Sequence, residues 1–156
     1  MAAKSKKSTA LPIYVLNGPN LNLLGVREPH IYGHTTLADV GKMCAEEAKS
    51  HGLSVDFRQT NFEGELVTWI QEARTKASAL VLNAGAYTHT SMAVHDALLA
   101  LTIPIVECHL SNPHARDSFR HFSYVASVAK RAICGFGAQS YVLSVRAVAH
   151  LIKGGK

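Results

Sequence analysis

ALVLNAGAYTHTSMAVHDALLALTIPIVECH, residues 79–109, reads as strand, helix, strand. Residues 79–83 form a short unbroken apolar run ended by Asn83, the signature of a strand buried on both faces. Residues 91–101 have the length and apolar content of a helix, and residues 104–109 (PIVECH) are apolar again up to Glu107. Two buried strands separated by a helix imply a parallel pair joined by a right-handed crossover.

The same alternation extends in both directions. Residues 11–17 (LPIYVLN) make a first strand stopped by Gly18-Pro19. Leu37, Val40, Cys44 and Ala48 recur at helical spacing up to His51-Gly52, a stop signal. A second strand over 54–59, a helix over 63–76, a fifth strand over 132–135 and a closing helix over 138–152 complete the pattern. The expected architecture is α/β, a doubly wound five-stranded parallel sheet in the flavodoxin-like order 2-1-3-4-5. Ligands of such sheets bind beyond the carboxyl ends of the strands, where strands 1 and 3 diverge. Asn17, Asn20, Asn83, Glu107 and His109 all fall on that edge.

The chain has 156 residues, 47% apolar and 17% charged, which suits one catalytic-sized domain over 11–153 behind a basic, disordered tail over 1–10. Lys4, Lys6, Lys7, Lys153 and Lys156 account for the formal charge of +5, so the body is near neutral. A nucleic-acid partner is not expected from such a distribution. The longest apolar stretch, 97–106, is interrupted by Pro104 and is too short to span a bilayer, and the short apolar run after the basic N-terminus is not expected to act as a secretory signal. Cys44, Cys108 and Cys134 are odd in number and without a CxxC pair, as in a reduced cytoplasmic protein.

Several constellations could carry chemistry. Glu107 and His109 are two apart on a strand and share a face, so the carboxylate can hold a proton on the imidazole, making His109 a candidate general acid. The alternative is a buried pair that only fastens the strand end. Arg27 and Tyr32 lie in a long glycine-bounded loop over 18–35, and a fixed positive charge beside a phenol favours the phenolate. Tyr32 is thus a candidate base, or else a surface tyrosine. Ser111, Arg116 and Arg120 follow the fourth strand, and arginine forks suit carboxylates and phosphates. His89 and Asp96, seven apart at the third helix, could form a polar wall or a solvated face.

Other chemistries find no support in the chain. It has no GxxxxGK[ST] loop, and Gly135-Phe136-Gly137 lacks the rest of a dinucleotide fingerprint. His109, His114 and His121 lack zinc-ligand spacing, so no metal is expected. Lys42, Lys49, Lys76 and Lys130 sit away from the strand ends, which leaves no lysine for an imine. A noncatalytic receiver-like or flavin-binding module is the competing class. It would need an acidic cluster or a hydroxyl-rich phosphate loop after strand 1, where this chain has NGPNLN.

The runs NGPNLNLLGVREPHIYG, LNAGAYTHTSMAVHDAL and VECHLSNPHARDSFRHFSY, in this order and spacing, resemble the type II 3-dehydroquinate dehydratases. The likeness covers residues 11–151. It implies reversible dehydration of 3-dehydroquinate to 3-dehydroshikimate without a cofactor, in a homododecamer built as a tetramer of trimers. The biosynthetic or catabolic setting stays open.

Carried over by position, the resemblance casts Tyr32 as the base, aided by Arg27, and Asn20 as holder of a water against the developing enolate. It makes His109 the acid, oriented by Glu107. Asn83, His89, Leu110 through its backbone, Ser111 and Arg120 would bind the substrate, and Arg116 would close the loop. Asp96 would reach the cleft of the adjacent subunit in a trimer.

Overall fold

A computed structural model describes residues 10–156. The expected tail over 1–10 lies outside the described residues, Ala10 aside. Strands β1 (Ile13–Asn17), β2 (Val55–Gln59), β3 (Ala79–Asn83), β4 (Ile105–His109) and β5 (Ala132–Cys134) form one sheet in the order β2-β1-β3-β4-β5. Every neighbouring pair is parallel. The register sets Asn17 beside Asn83, Leu82 beside Glu107 and His109 beside Cys134, so the polar strand ends lie along one edge.

The helices are α1 (Pro29–Tyr32), α2 (Leu37–Ser50), α3 (Glu63–Lys76), α4 (Met92–Leu99), α5 (Ala126–Ala129) and α6 (Gln139–Ile152). Alternate side chains of the central strands feed two cores, as a pleated strand requires. Ile13, Val15, Val81, Val106 and Cys108 pack under α2 and α6 with Val40, Cys44, Val145 and Val148. Tyr14, Leu16, Leu80 and Leu82 pack on the other face with Leu66 and Ile70 of α3 and Val94 and Leu98 of α4. Each such side chain, fully buried, contributes roughly 1.5–3 kcal/mol relative to exposure.

Polar clamps fasten helices over these cores. Glu47 of α2 accepts from Arg146 Nε of α6 at 2.8 Å and from His51 at 2.9 Å, and these bonds hold its carboxyl at about 2. Glu72 of α3 accepts from Arg58 Nη1 of β2 at 3.0 Å and from the Tyr14 hydroxyl at 2.9 Å, which hold it at about 2 as well. Cys44 and Cys108 are free and buried, and burial pushes both thiols up to about 12.

Two expected loops carry more order than their composition indicated. In 18–35, Pro29 stands at the start of α1 with its φ preset for a helix, and Gly33 at φ 78° ends it after one turn. In 111–123, single 3-10 turns occupy Pro113–Ala115 and Ser118–Arg120. Residues 126–129, unassigned from sequence, form α5; the Ser123 hydroxyl accepts from the Val125 and Ala126 N–H groups before it. No helix among the described residues is long and apolar enough to cross a membrane.

Candidate active site

The cleft lies beyond the carboxyl ends of β1 and β3, which stay paired through Asn17 and Asn83 while the chains leaving them pass to opposite faces of the sheet. Gly18 follows β1 and donates its N–H to the Asn83 carbonyl at 2.8 Å. A Cβ there would stand 2.2 Å from the Ala84 carbonyl oxygen, so glycine is required for the two strand ends to approach. Asn20, at φ 67°, turns the chain left-handed over the strand ends, a conformation asparagine tolerates better than most residues. Its N–H is held by Asn61 Oδ1 at 3.0 Å.

A space of about 710 Å³, its open mouth included, is lined by Asn20, Arg27, Tyr32, Asn83, His89, His109, Leu110, Ser111, Arg116 and Arg120. Ten of the residues singled out from sequence thus meet around one cleft. Glu107 stands behind it, buried. Asp96 is exposed on α4 and does not line the cleft of its own chain.

Glu107 Oε1 accepts from His109 Nε2 at 2.7 Å and from the Ser123 hydroxyl at 2.7 Å. The imidazole is therefore fixed by a carboxylate that is itself fixed by a second donor, and its proton sits on Nε2 toward Glu107 in the neutral form. Both residues belong to β4, and His109 also faces the cleft. The Leu110 carbonyl accepts from the Gly137 N–H at 2.9 Å, anchoring the end of β4 to the turn before α6.

Tyr32 ends α1. Arg116 Nη1 donates to its hydroxyl at 2.8 Å. The guanidinium carbons of Arg116 and Arg27 lie 5.6 Å and 5.9 Å from its ring centre. Sequence spacing points to Arg27 as the charge beside the phenol. In the folded chain Arg27 lies over the ring and pairs with Glu28 at 3.1 Å, and the direct bond to the phenol oxygen comes from Arg116, delivered by the other loop.

His89 Nδ1 donates to the Phe122 carbonyl at 2.7 Å, leaving Nε2 of the neutral ring as an acceptor. His121 Nε2 donates to the Arg116 carbonyl at 2.9 Å, which closes the 111–123 segment on itself. Arg120 Nε is buried with no hydrogen-bond partner among the described residues. No lysine lines the cleft. Among the described residues no three His, Cys, Asp or Glu side chains gather as a metal site.

Three contributors were not picked out from sequence. Ser123 stood inside a quoted motif, yet a serine in a loop carries no signal of its role. Asn61 follows β2 and reaches Asn20 only through the fold. Tyr141, on the apolar face of α6, is fully buried, and its hydroxyl bridges Asn17 and Asn83.

An order 2-1-3-4-5 sheet with a phenol, a carboxylate-backed imidazole and three guanidiniums at its switch point defines an α/β enzyme suited to proton transfer on a small anionic substrate. The comparisons specify it further. A family model described as dehydroquinase class II matches residues 11–149. A 3-dehydroquinate dehydratase of Rhizobium meliloti (strain 1021) is 58% identical over 144 residues, covering 92% of this chain and 97% of that relative. Its counterpart in Phenylobacterium zucineum (strain HLK1) is 60% identical over 142 residues, covering 91% and 98%. The crystal structure of a type II dehydroquinase from Propionibacterium acnes matches with a TM-score of 0.86 at 40% identity, covering 90% of this chain and 97% of that one. The chain belongs to the class II dehydroquinase family.

Proposed function

We infer that the protein catalyses the reversible dehydration of 3-dehydroquinate to 3-dehydroshikimate, a hydro-lyase step of the shikimate pathway. Family membership over residues 11–149 supports the reaction. The observation that carries the mechanism is that one cleft holds a phenol bonded to a guanidinium and an imidazole bonded to a buried carboxylate.

Tyr32, as phenolate, takes the proton next to the substrate ketone, and the electron pair left behind forms the enolate. The Arg116 and Arg27 charges favour that phenolate. Asn20 holds a water against the enolate oxygen; a donor so aimed is worth about 3 kcal/mol of barrier. The enolate then collapses, the carbon–oxygen bond β to the carbonyl breaks, and His109, as the imidazolium, gives its Nδ1 proton to the departing hydroxyl, which leaves as water while the Nε2 proton stays hydrogen-bonded to Glu107. Glu107 stabilises the imidazolium beforehand, and base and acid reset through solvent. Asn83, His89, Leu110 through its backbone, Ser111 and Arg120 hold the substrate hydroxyls and carboxylate. This set of acid, base and anion binders carries the elimination without a metal or organic cofactor.

The working form is a homododecamer of four trimers, with Asp96 of one chain at the cleft of its neighbour, and the enzyme acts in the cytoplasm. The test of the reaction is the ultraviolet absorbance of the conjugated enone formed from 3-dehydroquinate by purified protein. Growth of that absorbance without added cofactor is the expected result, and its absence overturns the reading.

A further inference from the structure

Asn17, Tyr141 and Asn83 form a hydrogen-bonded chain beneath the cleft whose direction is fixed at both ends. At one end Asn17 Nδ2 donates to the Arg58 backbone carbonyl at 2.9 Å. At the other the Gly85 backbone N–H donates to Asn83 Oδ1 at 3.2 Å. Between them the Tyr141 hydroxyl donates to Asn17 Oδ1 at 2.7 Å and accepts from Asn83 Nδ2 at 2.7 Å.

A carbonyl can only accept and an N–H can only donate, so neither terminus can reverse its role. Turning over either amide would set two donors or two acceptors against each other in the interior. Asn17 and Tyr141 are 0% exposed, which removes water as an alternative partner for them, and Asn83 is 3% exposed, meeting solvent only at the cleft. Burial also pushes the Tyr141 phenol well above its ordinary value, so it keeps the proton the chain depends on. Asn83 is left with one Nδ2 hydrogen and one Oδ1 lone pair, a donor and acceptor pair that matches a substrate hydroxyl.

We propose that Tyr141 is a positioning residue for substrate binding: its hydroxyl on Nδ2, together with the Gly85 N–H on Oδ1, holds the Asn83 amide in the plane in which its remaining hydrogen and lone pair are offered to the cleft. This rests on the reading of Asn83 as a substrate-binding residue. Tyr141→Phe removes one of the two bonds that hold the Asn83 amide, so only the Gly85 N–H on Oδ1 still orients it, and leaves Asn83 Nδ2 and Asn17 Oδ1 without their partner, while Tyr32, His109 and Arg116 keep theirs.

The experiment compares steady-state kinetics of Tyr141→Phe, Asn17→Ala, Asn83→Ala and the Tyr141→Phe/Asn83→Ala double variant. Val145→Ala, on the same buried face of α6 but outside the chain, is the control for lost stability. Tyr141→Phe is expected to raise KM for 3-dehydroquinate about tenfold, with kcat within about threefold and the pH profile of kcat unmoved. Asn17→Ala should act in the same direction, and it decides the matter if Tyr141→Phe does not fold. The double variant should bind no worse than Asn83→Ala. If Asn83→Ala leaves KM unchanged, the substrate-binding reading fails and the proposal falls with it. If Asn83→Ala raises KM while Tyr141→Phe and Asn17→Ala do not, or if Val145→Ala raises it equally, the proposal alone is overturned.

Discussion

Arg116 Nη1 donates to the Tyr32 hydroxyl at 2.8 Å across 84 residues of sequence. The bond ties the segment after β4 to the segment after β1, so the group assigned as base and the loop that covers it are held by one contact. A guanidinium retains its charge at any working pH, and its presence at the phenol oxygen is worth most in the phenolate state.

Tyr32→Phe is accordingly expected to lower kcat by several orders of magnitude while leaving KM within about threefold, because it removes the proton acceptor and little contact area. Arg116→Ala should lower kcat strongly too, and Arg27→Gln should do so more weakly because it lies over the ring rather than on the oxygen. Near-normal turnover in Tyr32→Phe would refute the base assignment.

His109→Ala should block departure of water, yet exchange of the substrate proton with solvent deuterium can continue in that variant, since the base is intact. Ser123→Ala removes one of two donors to Glu107 Oε1. A fall of about 3- to 30-fold in kcat is expected, larger for Glu107→Gln, which also takes away the negative charge facing the imidazole. Proton exchange lost together with turnover in His109→Ala would contradict the division of roles.

Glu47 and Glu72 sit at about 2 in the folded chain against an ordinary value of 4.5. A depressed carboxyl contributes stability that is complete above its unfolded value and is lost as pH falls through the folded one. Stability should therefore decline between about pH 4.5 and about pH 2, as the α2 to α6 and β2 to α3 clamps are protonated. Denaturant midpoints measured across that range should fall for the parent protein and fall less steeply for Glu47→Gln and Glu72→Gln.

Gly18→Ala places a methyl 2.2 Å from the Ala84 oxygen and 2.5 Å from its carbonyl carbon, both backbone atoms that cannot turn aside. Separation of the β1 and β3 ends should cost about 1–3 kcal/mol and move Asn20 off the cleft. A lowered Tm and a large loss of kcat/KM are expected, whereas an unchanged Tm would show that the strand ends have slack.

Light scattering should give a mass near twelve chains, and dissociation into monomers by dilution or mild denaturant should abolish turnover. Asp96→Ala reassembled with Tyr32→Phe should recover activity above either parent, because some clefts would then combine an intact Tyr32 with a neighbour's intact Asp96. Full activity in an isolated monomer would defeat the arrangement.

The sequence by itself determined the sheet and the membership of the cleft. Apolar runs such as ALVLN and PIVECH are satisfied by burial on both faces, and the helices between them make a parallel sheet with the flavodoxin-like order as the leading choice, so the polar residues that end those runs share one edge. Three long motifs also supplied roles that composition could not. What only the tertiary structure decided is which partner each group meets. Period and propensity are local properties, whereas Arg116 on Tyr32, Ser123 on Glu107 and Tyr141 between Asn17 and Asn83 are contacts between distant segments. Arg27 is five residues from Tyr32 and yet the phenol oxygen is met by an arginine 84 residues away, because α1 turns the ring toward the other loop and Glu28 draws the nearer guanidinium aside. Tyr141 looks like one more core aromatic in sequence; the polarity of its hydroxyl bonds exists only once α6 is laid across the ends of β1 and β3.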